Sequence, residues 1–458
     1  MEKLIIQGGM LMENNKLGTM TMKKLVLVNG IPLMLSLLIS NLYNFVDSIF
    51  VSRISETALT ALSLANPIQV LMSALGVANA VGVNAVISKA LGKKDEDEIK
   101  NAASASIWLA FVFWIILALL EFVLIKPYFE FQTGGNQEIM NYGIQYLSIV
   151  MLGSLGVMGQ WVFDRFTISS GKSSLFLITL SSGAITNIIL DPIFIFGYFG
   201  VPAMGIKGAA IATVIGQFVG ASMGIIINKK FNKEIPIHFV LKPNFSSIKS
   251  ILHVGVPSGI AQGMLSIMGM YVNNILISFS PTAVAVYGAC AKIQSLVLVP
   301  IWGFNNGLVP IVAYNYGAKK LERCHESVKW TLIYEYGIYF FLFLFIEFFP
   351  KVILNLFNAS ESMMSMGVYA LRVLGIAYFI SILCLAYSSM LQGFSRGTEA
   401  MILTLTRQTI MLFIFLTIAK ILNQIHFIWW AYVLAELTSI PIGIWLKNKV
   451  KKQVEMEM

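Results

Sequence analysis

Charge is scarce in this sequence: Asp, Glu, Lys and Arg make up 12% of its 458 residues, where a soluble protein carries about 25%. So few charges cannot cover a long water-facing surface, which excludes a soluble enzyme and a nucleic-acid binder. Cysteine is scarce too. Cys290, Cys324 and Cys384 lie far apart and form no CxxC, so they read as small apolar residues and argue against a disulfide framework or a thiolate metal site. The four histidines, His238, His253, His325 and His426, show no ligand spacing. No Ser/His or Cys/His set suggests an enzyme, and neither a metal centre nor a cofactor is expected.

Apolar residues are abundant, at 57% with a mean hydropathy of +0.76, and they come in runs of about 20 or more, long enough to cross a bilayer as helices. Twelve spans are expected, at about 31–52, 60–88, 103–126, 140–168, 173–198, 205–228, 251–278, 283–315, 330–349, 367–394, 399–420 and 427–446. An even number puts both termini on one side. On that side fall 23 of the 32 Lys and Arg residues, against five on the other, and this bias marks it as cytoplasmic. The net charge of +9 is therefore topology rather than a binding patch. Residues 1–24, with Lys3, Glu13, Lys16, Lys23 and Lys24, have no long apolar core and read as a cytoplasmic tail.

The polar stretch 229–250 divides the spans into six and six, and the halves resemble each other. LGKKDE at 91–96 answers YGAKKLE at 316–322, and Gly82 answers Gly307. The expected organisation is a tail (1–24), a six-helix lobe (25–228), a linker (229–250), a second lobe (251–447) and a tail (448–458). Lobes of six spans share an orientation and relate by an axis along the membrane normal. Two such lobes around a central cleft make an all-α polytopic membrane protein suited to alternating access.

Charges at bilayer depth cost several kcal/mol and need a reason. The first span reads NLYNFVDSIFVS, with Asn41, Asn44 and Asp47 at i, i+3 and i+6; the fifth places Asn187 and Asp191 four apart; the sixth carries Thr213. At ~1.5 Å per residue, Asp47, Asp191 and Thr213 lie ~8, ~10 and ~12 Å inside the outer ends of their helices. Two carboxyls close together in low dielectric do not both ionise readily, as a proton carrier requires. The bland alternative is that each aspartate only hydrogen-bonds to neighbouring helices. Pro32 and Pro192 weaken their helices locally and are candidate bending points, although Pro32 also falls near a helix start, where proline is tolerated.

In the second half Asn273 and Asn274 stand where the repeat puts Asp47. The deep charges there are Lys292 and Glu436, expected to pair with each other; a coupling or substrate role for Glu436 is the alternative. Glu335 and Arg407 are expected to snorkel or pair, and Asp164 with Arg165 to form a local pair. Gly216, Gly220 and Gly224, and Gly255, Gly259 and Gly263, form small-xxx-small ridges for helix packing. SSGKSS at 169–174 lacks the first glycine of a phosphate loop, so no ATP site is expected. The glycosylation-type triplet at Asn358 and the acidic run at 95–98 are read as chance and as a solvated turn.

Several long motifs resemble the MATE (multidrug and toxic compound extrusion) transporters, especially their MepA-like and DinF-like bacterial members. They are the opening run from Leu17 through NLYNFVDSIFVS, the stretch NIILDPIFIFGYFGVPAMGIKGAAIATVIGQ, and AVYGACAKIQSLVLVPIWGFNNGLVPIVAYNYGAKK, in family order over residues 17–447. The resemblance implies a cell-membrane antiporter, monomeric and without an ATPase subunit, exporting amphipathic, often cationic compounds in exchange for H⁺ or Na⁺. It implies a coupling-ion cluster at Asp47, Asn187, Asp191 and Thr213 and a bending proline at Pro32. The acids that NorM-like members carry in spans seven and ten fall at Leu265 and Ser381, so a site there is not supported. The alternative function is a lipid-linked oligosaccharide flippase, which would need a cationic cavity.

Overall fold

The computed structural model describes residues 15–237, 243–357 and 359–457. Lys3 and Glu13 of the tail, His238 and Lys242 of the linker, and Asn358 lie outside the described residues. Among those described there are helices and turns and no strand.

After a short α1 (Lys16–Thr19) come α2 (Met22–Ser52), α3 (Glu56–Lys93), α4 (Glu96–Gln132), α5 (Gln137–Leu152), α6 (Leu155–Ser169), α7 (Ser173–Phe196) and α8 (Ile206–Phe231). The second half holds α9 (Phe245–Phe279), α10 (Pro281–Val297), α11 (Val299–Gly317), α12 (Leu321–Phe348), α13 (Pro350–Asn355), α14 (Glu361–Gly393), α15 (Gly397–Leu405), α16 (Met411–Ile421) and α17 (Ile425–Glu457). Ten spans are long enough singly, and α5 with α6 and α10 with α11, bent by 46° and 47°, make twelve. Each lobe therefore has six.

Local chemistry sets the helix ends. Ser55, Asp95, Asn136, Asn244, Ser280 and Ser360 each accept a hydrogen bond from a first-turn amide, which satisfies donors that helix starts leave open. Asp95 caps α4, so the acidic run at 95–98 is a helix start rather than a loose turn. The helices also overrun the expected domain limits. α2 begins at Met22, α8 ends at Phe231, α9 begins at Phe245 and α17 continues to Glu457. Neither Pro32 nor Pro192 interrupts its helix.

Apolar side chains cover the outside, Phe45, Phe122, Phe341 and Phe348 among them, as expected of a surface solvated by lipid. Among the ten spans long enough singly, α3 and α14 are the most enclosed, with 61% and 56% of their apolar windows buried.

The lobes meet at the end that carries both termini, and glycine sets the contact. A Cβ on Gly255 of α9 would lie 1.6 Å from the Ala78 carbonyl of α3, and one on Gly82 would lie 2.1 Å from the Ile251 carbonyl. Gly92 faces the Tyr314 carbonyl as Gly317 faces that of Lys89, at 1.9 and 2.1 Å. These two contacts exchange under the internal repeat. Small residues allow backbones to touch in this way. Towards the opposite end the seam thins: Gly263 meets only Leu71, at 4.0 Å.

A strap of residues 15–20 crosses the seam. Asn15 donates from Nδ2 to Glu234 Oε2 (2.8 Å) and the Ser170 carbonyl (3.3 Å) on the first lobe. The second lobe grips the strap's carbonyls: Asn315 donates to Leu17 (3.1 Å), Arg323 to Met20 (2.8 Å) and Lys320 to Gly18 (3.4 Å). Leu17 is fully buried. These residues, read from sequence as tail, are part of the folded body.

Candidate functional site: a polar cluster in the first lobe

α2, α7 and α8 pack together in the first lobe, and each brings polar residues to within two turns of the end away from the termini. Asn187 Nδ2 donates to Asp191 Oδ1 at 3.2 Å and stands 3.4 Å from Thr213 Oγ1. The Asp47 and Asp191 carboxyls lie close enough to feel each other's charge. Asp191 is fully buried, Asn187 nearly so, Asp47 is 9% exposed and Thr213 is half-buried. Asp47 Oδ1, Asp191 Oδ2 and Asn187 Oδ1 are buried with no hydrogen-bond partner among the described residues. Polar atoms are seldom left this way. Two carboxyls, each with an unpartnered oxygen, beside an amide and a hydroxyl can receive a proton or a small cation.

Asn44 is not brought into this cluster. It is exposed, and only its backbone carbonyl is engaged, by Ser48 Oγ at 2.9 Å. A step of three residues turns a helix by about −60°, which places Asn44 toward the exposed side of Asp47. The residue one full turn before Asp47 is Tyr43, and it stands close enough to both aspartates to feel their charge, as does Tyr146 of α5. Gln69 of α3 contacts the Tyr146 hydroxyl at 3.5 Å. Tyr43 could have been found from its i−4 spacing; Tyr146 and Gln69 carried no such signal.

The second lobe departs from the expected pairings. Glu436 of α17 accepts from Arg407 Nη1 at 2.9 Å, and Lys292 is exposed, so Lys292 and Glu436 do not pair. Equal depth says nothing about which way two helices face. Nor does Arg407 pair with Glu335, which is fully buried on α12 and accepts from Asn305 Nδ2 at 2.7 Å. Asp164 and Arg165 also separate: Asp164 accepts from the Thr179 hydroxyl, while Arg165 reaches across the seam to Asn306 Oδ1 at 3.1 Å. Leu265 and Ser381 line one cavity of the second lobe and supply no acid to it. No group of three His, Cys, Asp or Glu side chains able to hold a metal occurs among the described residues.

Twelve spans in two repeated lobes, closed at one end and with two buried carboxyls in one lobe, have the architecture of a membrane transporter. The model of the MatE family matches residues 32–193 and again 257–418, and the starts of the two matches are separated by the same interval as Gly82 and Gly307. The chain belongs to the MatE family. It is 23% identical over 430 residues to the multidrug export protein MepA of Staphylococcus haemolyticus, covering 93% of this chain and 94% of that one. It is 26% identical over 412 residues to MepA of Staphylococcus aureus (strain N315), covering 89% of each. A MOP superfamily transporter from Pyrococcus furiosus superposes with a TM-score of 0.89 at 24% identity, covering 96% and 98% of the two chains. An outward-facing multidrug resistance MATE transporter does so at 0.87, with 24% identity and the same coverage. These likenesses establish the fold.

Proposed function

We propose that the protein is a secondary-active multidrug exporter of the cell membrane, with both termini cytoplasmic, acting as a monomer without an ATPase subunit. It exchanges a proton for an amphipathic, often cationic organic compound. The observation that supports this reading is the closeness of two buried carboxyls, Asp47 and Asp191, each with an oxygen that has no hydrogen-bond partner among the described residues. Two carboxylates held close together repel, and a single shared proton removes that repulsion. The lobes touch at the terminal end, so access to the pair in this state would be from the opposite, outer end. A proton arriving from there lowers the charge of the pair from −2 to −1 and weakens its hold on a cationic substrate. The ion-loaded carrier then turns inward, loses its proton and reloads. Coupling arises because the two states differ in affinity for ion and for substrate.

A second reading keeps the scheme with Na⁺ in place of H⁺. Asn187 Oδ1 and Thr213 Oγ1 beside the two carboxyls favour it, since hard cations take oxygen ligands. A lipid-linked oligosaccharide flippase fits less well, because Arg407, which lines the cavity between the lobes, is neutralised by Glu436.

The test is ethidium transport in inverted vesicles with a pH or a Na⁺ gradient imposed separately. The proton reading expects transport with the pH gradient alone and loss of gradient dependence in Asp47→Asn. An Asp47→Asn protein that transports at the full gradient-dependent rate refutes the assignment.

A further inference from the structure

The first lobe holds another buried carboxyl, nearer the terminal end, that the exchange scheme does not use. Asp164 of α6 is 2% exposed. Its Oδ1 accepts from the Thr179 hydroxyl of α7, and its Oδ2 is buried without a partner among the described residues. A carboxylate is seldom buried with so little bonding. Among the described residues, the one charge close enough to act on it is Arg165, its chain neighbour. None comes from α3, α4, α7, α8 or α11, the helices packed on α6.

A polar column joins Asp164 to the coupling cluster. On α7, Asp191, Asn187, Gly183 and Thr179 follow one another at intervals of four, and all are buried. They share a face that runs about 18 Å along the helix. Gln217 of α8 lies one turn from Thr213 towards the terminal end, with its Oε1 buried and unpartnered. Gln160 of α6 lies one turn from Asp164 on the cluster side. Gly220 of α8 makes room for it, since a Cβ there would come within 2.6 Å of the Gln160 carboxamide carbon. Arg165 points elsewhere: its Nη1 donates across the seam to Asn306 Oδ1 of the second lobe at 3.1 Å. That bond can hold only while the lobes are closed there.

We propose that Asp164 is a further proton-carrying residue, the inner station through which the proton taken up at Asp47 and Asp191 leaves for the cytoplasm. The inference rests on the exporter reading with H⁺ as the coupling ion. Water held by the amide and hydroxyl groups of the column relays the proton: an O–H bond of the Asp191 acid breaks as one forms on Asp164 Oδ2. When the lobes part at the terminal end, Arg165 loses Asn306 and turns to the carboxyl beside it. An opposite charge favours the ionised form, so Asp164 gives its proton to cytoplasmic water and is left paired with the guanidinium. Closing of the lobes returns Arg165 to Asn306 and frees the carboxylate for the next proton. Release is thereby tied to the inward-open state.

The experiment measures initial rates of ethidium transport in inverted vesicles, where the bath meets the cytoplasmic face, with bath pH and lumenal pH varied one at a time. In the wild type both are expected to set the rate. Asp164→Asn, which can still accept from Thr179, should transport at least tenfold more slowly. It should lose its dependence on bath pH and keep that on lumenal pH, and Asp164→Glu should restore both rate and profile. Arg165→Gln should raise the half-maximal bath pH by at least one unit, because Asp164 must then release its proton without a cationic partner. An Asp164→Asn protein with the wild-type rate overturns the proposal. So does a slower one with an unchanged bath-pH profile, which marks a structural role. Should that variant not fold, an unmoved half-maximal pH in Arg165→Gln overturns the proposal instead. Wild-type vesicles that show no transport with the pH gradient alone refute the proton reading itself, whatever the variants do.

Discussion

Replacing Gly255 by alanine should push the lobes apart at the end where they touch. The added Cβ would sit 1.6 Å from the Ala78 carbonyl oxygen, whereas carbon and carbonyl oxygen ordinarily approach no closer than about 3.3 Å. The two backbones must therefore separate by about 1.7 Å, and neither is a flexible side chain that can swing away. Overpacking of this kind costs about 1–3 kcal/mol, and a bias of that size shifts a two-state equilibrium by about 5–150-fold. It falls only on the state closed at the terminal end. Spin labels at the exposed, repeat-related positions Asp97 and Glu322 should show a longer distance in Gly255→Ala, and labels at Arg53 and Ser278 a shorter one. Gly269→Ala on the same helix is the control, because a Cβ there meets nothing within 4 Å. Unchanged distances in a folded Gly255→Ala protein would refute the reading of this seam as the closed gate.

Other perturbations have equally definite outcomes. Asn305→Ala leaves Glu335 buried with neither oxygen partnered; the loss should be about 1–3 kcal/mol, read as a lower thermal midpoint, and an unchanged midpoint would contradict it. Arg407→Met alone strands Glu436 and should destabilise by about 3–5 kcal/mol, more than the same change made with Glu436→Gln; equal midpoints for the two variants would count against the pair. Leu17→Ala empties a fully buried position in the strap, a change that typically costs about 2–5 kcal/mol. Trypsin should then cut after Lys16 faster than in the wild type, and equal rates would mean that Leu17 does not hold the strap down.

Much of this architecture was legible from periodicity and charge bias, because a bilayer leaves the backbone few choices. Asp191, Asn187 and Thr213 were legible together: a spacing of four fixes one face, and depth along the helix fixes the level. Asn44 was misplaced because a spacing of three drifts off that face. Glu436 was given Lys292 as partner from depth alone, while the true partner, Arg407, sits on a π-helical turn, Thr406–Ile410, whose extra residue rotates everything after it. The strap escaped notice because Asn315, Lys320 and Arg323 bond to its carbonyls, which every sequence has. The enclosed position of Glu335 likewise depends on how α12 rolls against α11, which no local pattern encodes.

The strap also bears on turnover. Where the glycines meet carbonyls of the other lobe, backbone lies against backbone, so at those points the lobes can part as plates. The bonds of residues 15–20 are different in kind, because they are anchored on both plates. Any opening at the terminal end must either break the Asn15 contacts with Ser170 and Glu234, or pull Leu17, Gly18 and Met20 free of Asn315, Lys320 and Arg323. A few hydrogen bonds at the rim thus act as a latch across the seam, at the edge of the molecule and more than 20 residues before Asp47 in the chain.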